Sequence, residues 1–135
     1  MTILSWSNLF SVGVREIDAQ HRVLIELLNR LAEAASRGGE AGLEAEALAR
    51  LSDYIEQHFA MEERLMREHG YAEAPTHLEA HRRLTEQVQQ MASQHQKGQG
   101  PSLEDLALFL RQWLVTHILQ TDRLLGAALN RAGVR

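Results

Sequence analysis

Apolar residues recur at steps of three and four along most of this chain, and glycine-bearing breaks cut the pattern into four runs. The first run reads Ile17, His21, Leu24, Leu28, Leu31 and Ala35, with Asp18 as the expected N-cap and Gly38 and Gly39 as the stop. The second reads Leu48, Leu51, Ile55, His58, Glu62 and Leu65 and ends at Gly70. The third reads His77, His81, Leu84, Val88 and Met91 and closes at Gly98 and Gly100. It is expected to open just after Pro75, because proline's missing amide hydrogen is not needed in a first helical turn. The fourth opens at Ser102, with Asp105 three residues on in a capping-box arrangement. It continues through Leu106, Leu110, Trp113, His117 and Leu124 to about residue 130.

Helices of about 20 to 28 residues joined by short turns must each run antiparallel to the one before. The expected fold is therefore all-α, an up-down-up-down antiparallel four-helix bundle. Strands have little support, since tyrosine and phenylalanine are sparse and both prolines sit at helix starts. Residues 1–16, with Trp6, Leu9, Phe10 and Val12, lack helical periodicity and are expected to form an N-terminal arm packed across the bundle. The expected organisation is a single domain over 1–135, with the arm at 1–16 and the bundle at 17–130.

Composition narrows the function. A chain of 135 residues with 44% hydrophobic side chains can bury one sizeable core. A net charge of -4 gives no electrostatic reason to bind nucleic acid or an anionic membrane. The absence of cysteine excludes disulfides, thiolate metal sites and cysteine nucleophiles, so any metal must be held by nitrogen and oxygen. No secretory signal opens the chain and no apolar run approaches about 20 residues, so no membrane insertion and a cytoplasmic location are expected.

The anomaly lies inside the stripes. His21, His58, Glu62, His77, His81 and His117 occupy positions where apolar side chains belong. Leaving a buried polar group unpaired costs roughly 1–3 kcal/mol in proteins, and an unpaired carboxylate costs more. Several such groups in one small core would exceed the stability of a typical domain, unless a metal satisfies them together. In an antiparallel bundle these residues all fall toward the same end, and His58/Glu62 and His77/His81 are i, i+4 pairs on one helical face. Asp122 is less regular. Five residues after His117, it lies about 140° around an ideal helix, so reaching the site calls for a locally widened π-type turn. A lone histidine on an apolar face is usually a hydrogen-bonded core residue, but five on converging faces with two carboxylates read as a ligand set. His69 and His95 fall too far along their helices to join it, and Glu63 points about 100° from Glu62 and is expected to be solvated. Trp113 is most simply core.

The stretches that carry these residues are Val12-Gly-Val-Arg-Glu-Ile-Asp-Ala-Gln-His21, His58-Phe-Ala-Met-Glu-Glu63, His77-Leu-Glu-Ala-His81 and Trp113-Leu-Val-Thr-His-Ile-Leu-Gln-Thr-Asp122. In these motifs the chain resembles the hemerythrin family, specifically its single-domain bacterial branch, the bacteriohemerythrins. The resemblance implies two iron ions with a bridging oxo or hydroxo group. His77, His81 and His117 would bind one iron and His21 and His58 the other, with Glu62 and Asp122 bridging. It places an open position for dioxygen on the His21/His58 iron, and Ile25, Ile55, Phe59, Leu114 and Ile118 are the expected lining of the dioxygen pocket. Nitrogen and oxygen ligands alone leave manganese and zinc open, so iron rests on the resemblance.

The implied function is reversible oxygen binding for storage, transport or delivery to an oxygen-consuming enzyme, not catalysis, and a monomer is expected because the stripes look fully used inside one bundle. Five imidazoles favour the ferrous state over a carboxylate-rich cage, and no catalytic acid, base or substrate-orienting set accompanies them. The alternatives are a diiron enzyme acting on nitric oxide or peroxide, and an oxygen or redox sensor.

Overall fold

Each run becomes a helix in the computed structural model, which describes residues 2–38 and 41–135. Helix α1 spans Arg15–Arg37, α2 Ala41–Glu68 and α3 Ala74–Gln96. The fourth helix is continuous but mixed: α4 covers Leu103–Thr116, a π segment covers His117–Asp122, and α5 covers Arg123–Arg131. No strand occurs among the described residues. Helix α1 packs on α2 and α4, and α2 packs on α3, giving the expected antiparallel four-helix bundle. Among the described residues no helix is long and apolar enough to cross a membrane.

The ends follow local chemistry. Ser102 caps α4 by accepting the Asp105 amide at 3.1 Å. Pro75 sits inside the first turn of α3, one residue after the helix begins at Ala74. Gly70 ends α2 at a φ of 59°, a left-handed conformation that glycine adopts without a side-chain penalty. Gly38 follows α1 with a φ of 50°, while its expected companion in that break, Gly39, lies outside the described residues.

Three expectations need correction. Asp18 does not cap α1, which begins at Arg15 with Val14 in the cap position. From inside the first turn, Asp18 accepts the Val12 amide at 2.9 Å and the Ser11 hydroxyl at 2.5 Å, so its carboxylate pins the arm instead. Leu9 points outward, 77% exposed, although Leu4 and Val12 of the same arm are buried. Leu124 is exposed and Leu125 is buried in its place. An unbroken α-helix would turn Leu124 inward seven residues after His117, and the π segment accommodates one extra residue and advances the register.

The arm is tied along its length. Asn29 accepts from the Ile3 amide at 2.9 Å and donates to the Leu4 carbonyl at 2.8 Å. Arg111 donates to the Ile3 carbonyl at 2.6 Å, and Asn130 donates to the Gly13 carbonyl at 2.9 Å. Gly126 lets the arm approach the bundle closely, because a Cβ built there would lie 2.1 Å from the Val12 carbonyl oxygen. Gly126→Ala is expected to push the arm off α5 and cost about 1–3 kcal/mol, the usual range for overpacking. Thermal unfolding with limited proteolysis of the first residues checks this, and an unchanged midpoint with a protected arm would reject it.

Candidate metal centre

The bundle brings the seven polar residues of the stripes to one end. His21 comes from α1, His58 and Glu62 from α2, His77 and His81 from α3, and His117 and Asp122 from the two ends of the π segment. None is more than 5% exposed. The widened turn is what delivers Asp122. A π turn bonds i to i+5, seen where the Arg123 amide reaches the Ile118 carbonyl, so residue 122 stacks back toward residue 117. Asp122 Oδ1 lies 3.0 Å from His117 Nε2 as a result.

All five imidazoles aim Nε2 at the two carboxylates. Glu62 Oε1 lies 3.1 Å from both His77 and His81, and its Oε2 lies 3.2 Å from His58. Asp122 Oδ2 lies 2.9 Å from His21, and its Oδ1 lies 3.2 Å from His77. Two overlapping groups result, with donor atoms in each within 4.8 Å of one another: His77, His81 and His117 with both carboxylates, and His21 and His58 with the same two carboxylates. The close approaches do not satisfy these atoms. His21, His58, His81 and His117 Nε2, Glu62 Oε2 and both Asp122 oxygens lack a hydrogen-bond partner although fully buried. Orphaned lone pairs converging on shared points fit a pair of metal ions with nitrogen and oxygen ligands.

Electrostatics within the cluster is strong. Burial alone would lower the His77 pKa, but the carboxylates of Asp122 and Glu62 overcome it and raise it to about 9. His58 is also raised, with Glu62 outweighing desolvation. Burial and the charge of Asp122 push Glu62 up, yet His58 and His77 hold it well below the usual carboxylate range. Asp122 is likewise held low, against burial, by His117, His21 and His77.

Two contacts escaped the sequence reading. Glu63 is not simply solvated: its Oε2 lies 3.1 Å from His81 Nδ1, on the edge of the ring facing away from the cluster. Gln20 places Oε1 2.8 Å from His58 Nδ1. The only sequence signal for either is adjacency to a ligand position, His21 for Gln20 and Glu62 for Glu63. Aromatic rings brace two other faces. Phe59 stacks on His81 with centroids 3.7 Å apart, and Trp113 stacks on His117 at 4.2 Å. His69 is exposed, and His95 lies 4.0 Å from Glu44, so neither joins the cluster.

A cavity of about 20 Å³ opens beside the cluster. That is space for roughly one water-sized molecule. Leu24, Leu28, Ile55, Phe59 and Leu114 line it, and His58, His117 and Asp122 close its polar end. Of the expected lining, Ile25 and Ile118 are buried elsewhere. On α1 the cavity follows the i, i+4 row of Leu24 and Leu28, and Ile25 is turned about 100° from Leu24. Ile118, at the start of the π segment, is fully buried outside the cavity wall, which on this helix includes Leu110, Leu114 and His117.

With this geometry in place, the comparisons with known proteins agree. The family model described as the hemerythrin HHE cation binding domain matches residues 12–129. A bacteriohemerythrin of Methylococcus capsulatus is 30% identical over 131 residues, covering 96% of this chain and 99% of its own. One from Stenotrophomonas maltophilia is 34% identical, covering 91% of this chain and 79% of its own. The crystal structure of a wild-type hemerythrin superposes with a TM-score of 0.89 at 30% identity, covering 94% of this chain and 98% of that one.

Metal should stabilise the bundle, by about 2.7 kcal/mol when free metal is a hundredfold above its dissociation constant. In the metal-free chain His77 sits above its ordinary 6.5, at about 9. Its pairing with the carboxylates therefore contributes stability that is present in full below about pH 6.5 and is lost as the pH rises through about 9. A metal needs the ring neutral, so the gain in melting temperature on adding cobalt(II) is expected to grow from pH 6 to pH 9. A gain that is flat with pH would contradict this assignment of the cluster.

Proposed function

Because this chain belongs to the hemerythrin family, we propose that it binds dioxygen reversibly at a pair of iron ions and stores or delivers it to an oxygen-consuming enzyme. The observation that carries the reading is the division of one buried cluster into a three-histidine and a two-histidine group sharing two carboxylates. His77, His81 and His117 would hold one iron and His21 and His58 the other, with Glu62 and Asp122 spanning both and an oxo or hydroxo group between them. When bound, the ferrous pair supplies two electrons that hold dioxygen and can be returned on its release.

The protein's own residues do the rest. The two-histidine group has one nitrogen donor fewer, so a metal held there would keep room for a small ligand. The cavity meets the cluster at His58 of that group, at His117 of the other and at Asp122, and has room for about one small molecule. Its walls of leucine, isoleucine, phenylalanine and tryptophan give water few partners and offer no acidic proton to a bound ligand, which favours release of dioxygen unchanged over its loss as peroxide. No side chain of the cavity wall is a free acid or base: the titratable residues that reach it, His58, His117 and Asp122, belong to the ligand set. Most of the stripe residues are buried inside one bundle, Leu124 being an exception, which supports a monomer.

The test is an optical titration of the ferrous protein from anaerobic to aerobic conditions, with iron counted per chain. Two irons and a charge-transfer band that appears with oxygen and fades under argon are the expected result. Two irons that oxidise at once without a reversible band would replace the carrier with a diiron enzyme or a redox sensor. A chain that binds no iron would overturn the proposal.

A further inference from the structure

We infer that Gln20 and Glu63 are positioning residues that fix the tautomers of His58 and His81, and that they do so unequally, one as a neutral amide and one as a carboxylate. The inference rests on the two-metal reading above.

The geometry is a relay between neighbouring helices. Gln20 lies on α1 beside the ligand position His21, but its side chain reaches His58 on α2. Glu63 lies on α2 beside Glu62, but its side chain reaches His81 on α3. Both contacts are to Nδ1, at 2.8 and 3.1 Å, while Nε2 of each ring points into the cluster toward Glu62. An oxygen acceptor at Nδ1 holds the hydrogen there and leaves the Nε2 lone pair free for a metal. His81 is fixed twice, since Phe59 stacks flat on its face while Glu63 holds its edge.

The chemical difference follows from the acceptors. A carboxylate at Nδ1 draws the hydrogen toward itself and makes the ring a richer donor, which stabilises the more positive state of the metal on that ring. An amide oxygen orients the ring but adds no charge. Glu63 keeps 32% of its side chain in contact with solvent, whereas its partner His81 is buried. The charge therefore sits behind the three-histidine group, and the two-histidine group, where a ligand can enter, has only the amide. A metal held there would be less electron-rich than its neighbour, so the pair would be electronically asymmetric before any ligand arrived.

Four variants separate orientation from charge. Glu63→Ala and Gln20→Ala remove the acceptor and are expected to weaken one of the two cobalt(II) ions about 10–100-fold, the usual effect of losing such a partner. Glu63→Gln keeps an acceptor without charge, so it should restore most of that affinity while raising the midpoint potential of the iron-loaded protein. Gln20→Glu should leave affinity near wild type and lower the potential. Circular dichroism confirms that each variant is folded. Alanine variants that bind both cobalt ions like wild type would overturn the inference, and so would charge variants that move the potential in the same direction or not at all. A folded wild type that binds no cobalt would sink the metal reading together with this one, whereas normal cobalt binding without reversible oxygenation would sink only the carrier function.

Discussion

Seven polar side chains share one buried end of a bundle whose remaining interior is apolar, and the other features of the structure follow from that burial. Two carboxylates removed from water would repel each other and carry a large desolvation cost. Here each is ringed by imidazole nitrogens at about hydrogen-bond distance, and both are held ionised against burial. The compensation is incomplete. Most of the inward atoms have neighbours at the right distance but no hydrogen bond, which leaves the centre with unused capacity that positive charge would fill. The apolar half of the core has to supply the stability that lets this end exist.

The π segment is the backbone's contribution to the same end. Its extra residue is destabilising as regular helix, and it is placed where it brings the Asp122 carboxylate over a histidine of the same helix. The effect travels down the chain. With the register advanced, Leu125 and Leu129 face the core, Leu124 faces out, and Gly126 comes to lie under the Val12 carbonyl. The arm's contact with the fourth helix and the geometry of the metal centre thus depend on the same local widening of one turn.

The helices and the inward positions of the polar cluster were legible because both are properties of spacing. Period and glycine breaks place four stripes, and antiparallel topology places residues at the same end without any knowledge of distances. Even the π turn could be anticipated, because Asp122 is stranded about 140° from His117 on a straight helix. What escaped reading depended on side-chain length and reach. Asp18 looked like a cap by type and position, but its carboxylate folds back to Ser11 and Val12. Glu63 pointed away by angle, yet a glutamate is long enough to bend round to the neighbouring helix, as is Gln20. Leu124 faces out because the register beyond a π turn shifts by one, which a uniform helical period does not show.

The cavity is best understood through what encloses it. Phe59 and Trp113 each lie flat on a ligand-set histidine and also line the apolar space, with their centroids 5.9 Å apart. The same rings that limit rotation of His81 and His117 therefore form part of the wall of the cavity. Loosening that wall to admit a larger ligand would release the histidines, and tightening the histidines would close the space. Rigidity of the donors and smallness of the cavity are one property of the packing. On the proposed function, a site built this way would select its ligand by size and apolarity before any chemistry at a metal began.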